Sequence, residues 1–78
     1  MSEFDYIKEY YQLPFIKRGM GIINFNGNFG KIVGTNGYNL EVIFDVKEDS
    51  GYYHPTWEIA YLDNDKNIIK EFRKQNVL

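Results

Sequence analysis

Along residues 38–46 the chain alternates: Leu40, Val42 and Phe44 fall on one side, Glu41, Ile43 and Asp45 on the other. A period of two marks a half-buried β-strand. The runs 20–25 (MGIINF) and 29–35 are rich in β-branched and aromatic residues and read as two earlier strands. Asn26-Gly27 and Asn36-Gly37 separate the three, and Asn-Gly is a strong short-range hairpin signal. These segments predict a β-meander. Further on, 58–63 (EIAYLD) and 68–72 (IIKEF) read as a fourth and a fifth strand around the turn DNDKN, with Asn67 in the left-handed position. Between the third strand and the fourth, YYHPTW (52–57) is aromatic but broken by Pro55, which cannot donate to a central ladder. It predicts an edge segment or a single helical turn.

The N-terminal pattern differs. Phe4, Ile7 and Tyr11 recur at helical spacing, Ser2 can cap, and Glu3 and Asp5 suit a helix N-terminus. Pro14 pushes Leu13 out of the helical region, so a helix is expected over 3–12. It is too short to be stable alone and must dock on the sheet. The elements add up to one domain over 1–78: helix 3–12, strands within 19–72, and a frayed tail 73–78. The expected fold is mainly β, a small five-stranded antiparallel barrel with a short N-terminal helix. The alternative is an open antiparallel sheet with the helix across one face.

Composition narrows the function. Seventy-eight residues without cysteine have no disulfide and no thiolate metal site. A core of this size supplies roughly 3–5 kcal/mol, and the aromatic content, 18%, is what makes it viable. A net charge of −2 does not favour non-specific nucleic-acid binding. No apolar run reaches the length of a membrane span, and MSEFDYIKEYY does not fit a signal peptide. A cytoplasmic protein, with no membrane partner, is the expectation.

Residues 19–62, above all GKIVGTNGYNLEVIFD (30–45), resemble small SH3-like barrels, including KOW-type modules; Gly30, Val33, Gly34, Val42, Phe44 and Asp45 carry the likeness. YYQLPFIKRGM (10–20), NGNFGKIVGTNGYNLEVIFD (26–45) and YYHPTWEIAYLD (52–63) resemble short proteins encoded by bacteriophages and prophages. The resemblance implies an SH3-like barrel and a life in a bacterial host cell. It brings no reaction with it. Glu41 and Asp45 stand where KOW-type nucleic-acid binders carry basic residues.

Chemistry-bearing groups are sparse. His54 is the only histidine, and with Thr56 it is expected to bond the backbone around Pro55 and lock that corner. Asp63, Asp65 and Asn67 open like an EF-hand loop, but Ile68 and Lys74 replace its glycine and its bidentate glutamate. No metal site and no cofactor are expected. Gly19-x-Gly21 and Gly30-Lys31 do not continue into phosphate-loop motifs; these glycines are read as sites of bulges and tight bends. Without a nucleophile–base pair, the chain does not read as an enzyme.

The surplus of rings is the functional lead. Trp57, Phe25, Phe29 and Phe44 are assigned to the core, and Tyr38, Tyr52 and Tyr53 to a partner-binding surface. The carboxylates Glu41, Asp45, Glu48 and Asp49 form an acidic edge for a basic partner. The function expected is a non-catalytic binding module that engages a host or phage protein, with inhibition of a host defence or nucleic-acid-processing system as its role. The alternative is a nucleic-acid-binding module using Lys17, Arg18, Lys66, Lys70 and Arg73. An unpaired edge strand also leaves a homodimer open.

Overall fold

A computed structural model describes residues 2–46 and 50–73. Ser2 caps α1 (Glu3–Tyr10) through a reciprocal box: its Oγ accepts from the Asp5 amide, and its own amide donates to the Asp5 carboxylate, each at 3.2 Å. The helix stops two residues short of the expected end. Gln12 takes a left-handed φ of 57°, Leu13 N–H reaches back to the Lys8 carbonyl at 2.8 Å, and Gln12 N–H to that of Glu9. This is a Schellman ending with glutamine in the usual glycine position. It turns Leu13 into the core beside Ile7.

Six strands follow: β1 (Gly21–Asn24), β2 (Phe29–Asn36), β3 (Asn39–Phe44), β4 (Ser50–Tyr53), β5 (Ile59–Leu62) and β6 (Ile68–Glu71). All neighbours are antiparallel, in the order β4-β3-β2-β1-β5-β6. Two expectations are corrected. Among the described residues there are six strands rather than five, because Ser50–Tyr53 pairs with β3 before Pro55 ends the ladder. The sheet is not closed into a barrel: β4 and β6 are its two edges. The expected tail lies, from residue 74 on, outside the described residues.

The turns refine the register. At the second Asn-Gly, Asn36 pairs with Asn39, so the turn is Gly37-Tyr38, with positive φ only at Gly37. That is the type II′ pattern, and it moves Tyr38 from the strand to the hairpin tip. The β1–β2 loop is longer. Asn24 Oδ1 accepts from the amides of Asn26 and Asn28, and Gly27 alone takes positive φ. The β5–β6 loop repeats this plan: Asp63 Oδ1 accepts from Asp65 and Asn67, and Lys66, not Asn67, is left-handed at φ 65°.

The amides of Asn67 and Asp65 hold the Asp63 carboxyl below its ordinary value of 3.8. Because its folded pKa is depressed, its contribution to stability is complete above that value and is lost as pH falls through the folded one. We expect Asp63→Asn to weaken the acid dependence of the urea midpoint below pH ~4. An unchanged acid limb would dismiss Asp63 as a source of acid sensitivity.

The alternation in β3 is as expected: Leu40, Val42 and Phe44 are buried. They pack with Ile22, Ile32, Ile59 and Tyr61, and with Ile7, Leu13, Ile16 and Met20 from α1 and the segment after it. Phe4 and Tyr11 flank Ile7 on the docked stripe. A bulge between Ile32 and Gly34 takes Val33 out of the ladder, and its carbonyl accepts from the Arg18 guanidinium. Trp57, Phe25 and Phe29 are not core residues. They are 62, 60 and 40% exposed, and of the four rings assigned inward only Phe44 is buried.

Candidate binding surface

Eight of the fourteen aromatic rings are exposed. A chain of this length cannot cover them all. Their arrangement is ordered. Tyr10 is the last residue of α1 and Tyr11 its C-cap, so the two side chains leave the helix end in different directions. Tyr11 turns toward the core, its ring 5.1 Å from His54 and its hydroxyl 3.3 Å from His54 Nε2. Tyr10 turns out, 4.8 Å from Tyr11 and 5.5 Å from Tyr38 at the β2–β3 tip. Glu3 ties that tip to the helix: its carboxylate accepts from Thr35 Oγ1 at 2.7 Å and from the Gly37 amide at 3.3 Å. Those bonds seat the tip that carries Tyr38 against α1, and Tyr10 and Tyr38 are 70 and 54% exposed.

His54 Nδ1 accepts from the Thr56 amide at 3.1 Å, as expected for a corner lock. A nitrogen that accepts there carries no proton, so in neutral His54 the proton sits on Nε2 and points to Tyr11. Pro55 is closed over from within by Tyr61, whose hydroxyl donates to its carbonyl at 2.6 Å.

The two β4 tyrosines separate. Tyr52 is opposite Glu41 on the face away from the core, and both are reachable by a partner. Tyr53 is opposite Leu40 and on the core side. Its ring lies along Gly51 and meets Phe44 edge-on at 5.2 Å. Phe25, Val46, Phe44 and Tyr53, with Asn24 at the end of β1 and Asn26 and Asn28 of the loop after it, line a pocket of about 210 Å³ there. Asp45 is exposed in the turn after β3, its amide donating to the Phe29 carbonyl. Glu48 and Asp49 lie outside the described residues.

Among the basic residues, Arg18 holds the bulge carbonyl and stands over the Phe4 ring, and Arg73 is ion-paired with Glu71 at 2.8 Å. That pairing lowers the Glu71 pKa and raises that of Arg73. Lys17 is exposed in the segment before β1, and Lys70 lies over Phe72. Lys66 is 5.2 Å from the Phe29 ring and shares a cleft of about 270 Å³ with Lys31, Asp45, Asp63, Leu62 and two glycines. Sequence reading missed Lys31. The signal was its place two residues from Phe29, which puts both on one face of β2. A wider concavity along α1, about 550 Å³, is lined by Asp5, Lys8, Glu9, Gln12 and Pro14 and has no aromatic wall.

Among the described residues no group of three or more His, Cys, Asp or Glu could hold a metal ion. None of their helices is long and apolar enough to cross a membrane. Comparison with protein families, with curated proteins and with solved structures finds no match for this chain.

Proposed function

We propose that the protein is a non-catalytic binding module that engages a protein partner through its exposed tyrosines. The observation that carries this reading is the pairing of Tyr10 with Tyr38, two rings 5.5 Å apart and both open to solvent. Tyrosine is a frequent hot-spot residue. Tyr52 with its ladder partner Glu41 supplies a second contact zone, with a carboxylate suited to a basic partner. The resemblance of residues 26–45 and 52–63 to phage-encoded proteins supports a bacterial host protein as the partner class, met in the cytoplasm. Inhibition of a defence or nucleic-acid-processing system is the role that follows. Kinship with SH3-like barrels is part of the same proposal; its support is the hairpin succession from β1 to β4.

A tagged pull-down from bacterial lysate, with and without nuclease, tests it. A stoichiometric protein that survives nuclease is the expected result. Tyr38→Ala should then weaken that complex by about 2 kcal/mol, roughly thirtyfold, with the fold retained. Wild-type affinity in both Tyr38→Ala and Tyr10→Ala would remove this surface. Partners lost on nuclease treatment would favour nucleic acid and the lysines instead.

A further inference from the structure

The two Asx-capped hairpin loops differ at one informative place. In Asn24–Asn28 the left-handed residue is Gly27, and in Asp63–Asn67 it is Lys66. Glycine takes that conformation without strain, whereas lysine does not. The strained position directs an ammonium group over the Phe29 ring, at the mouth of the cleft between β1, β2 and the β5–β6 loop. Lys31 stands on the same cleft, opposite Gly21 in the ladder. Because Gly21 has no side chain, the floor opens down to Leu62.

Each part has a chemical reading. Phe29, 40% exposed, is a face on which a planar ring can stack once the Lys66 side chain, now 5.2 Å from it, swings off the ring to meet the anion. Lys31 and Lys66 are two donors for an anionic group. Asp63 is committed to the loop amides, while Asp45 makes no side-chain hydrogen bond among the described residues. It is an acceptor for ring N–H or sugar hydroxyl donors. A ligand with an anion at one end and donors on a planar ring matches all three.

We propose that this cleft binds one nucleotide unit, its base on Phe29 and its phosphate between Lys31 and Lys66. The same chemistry is offered by a free nucleoside monophosphate and by one residue of a single strand.

The test is a titration of the whole chain by two-dimensional NMR. The probes are the four ribonucleoside monophosphates, a single-stranded RNA pentamer and inorganic phosphate. Saturable shifts at the Lys31, Asp45 and Lys66 amides with a nucleotide probe are expected, and weaker binding of phosphate alone. Saturation by the monophosphates assigns a free nucleotide, and saturation by the pentamer only assigns a strand. Lys66→Gly should bind roughly tenfold more weakly, the loss of one charge-assisted hydrogen bond, while melting at a higher temperature than the parent. Gly21→Ala should also lose affinity with the fold intact, since its Cβ meets Leu62 only at ordinary contact distance, 3.6 Å. No saturable shift with any nucleotide, equal binding of inorganic phosphate, or unchanged affinity in Lys66→Gly would each overturn the proposal.

Discussion

Tyr61→Ala is expected to leave the chain largely unfolded at 25 °C. Tyr61 is fully buried in β5, its ring edge-on to Phe15 at 5.4 Å and to Phe72 at 6.3 Å. Truncating a buried aromatic ring costs about 3–5 kcal/mol. A domain this small has about that much stability to lose. Tyr61→Phe separates packing from hydrogen bonding. It keeps the ring and strips the Pro55 carbonyl of its donor, which should cost about 1–2 kcal/mol. Urea unfolding followed by far-ultraviolet circular dichroism measures both; Trp57 is too exposed to be a good fluorescent reporter. Equal losses in the two variants would mean the hydroxyl, not the ring, dominates. Burial also pushes the Tyr61 phenol well above its ordinary value of 10. A raised folded pKa gives stability that is complete below the unfolded value and falls as pH rises past it. The parent should therefore lose stability above pH ~10, and Tyr61→Phe should lose less.

What the sequence revealed depended on whether a local rule decided the outcome. The Ser2 cap and the inward set Leu40, Val42 and Phe44 were readable, because a cap and a period of two are local. The turn at Gly37 was located but misregistered by one residue. One glycine at the first central position suffices for a type II′ turn, so Asn36 stays in the ladder and Tyr38 becomes the tip. That shift is why Tyr38 meets Tyr10, which no sequence spacing announces. Ring burial was the weakest inference. Phe25 is apolar but sits on a loop tip, and Trp57 follows Pro55 in a turn that ends with Glu58 at φ 54°. Their expected places are taken by Leu13 and Ile16 from the connection between α1 and β1, a segment with no periodicity to give it away. Barrel closure was not local either. It depends on whether the added strand β4 meets the far edge, and there β6 sits outside β5 as a second edge. The cleft around Lys66 follows from the same pairing of β1 with both β2 and β5.

The glycines give the second large effect. Gly30 lies between Ile22 of β1 and Phe44 of β3 and is buried. A Cβ there would stand 2.8 Å from the Ile43 carbonyl oxygen, 2.9 Å from Phe44 Cδ1 and 3.1 Å from Val42 Cγ1. The first of these is backbone and cannot rotate away. The missing side chain leaves room for β3 to lie close to β2 and for the Phe44 ring to pack over the position. Gly30→Val should therefore cost about 3 kcal/mol through overpacking. Gly21→Ala, one register pair away on the same ladder, should change stability by less than ~1 kcal/mol, because its Cβ finds room and alanine restricts the unfolded chain. The comparison is internal: two strand glycines, one ladder, opposite outcomes. Paired urea midpoints decide it. A wild-type midpoint for Gly30→Val would mean that the strands separate without penalty. The close approach of β3 to β2 would then not be what shapes the core.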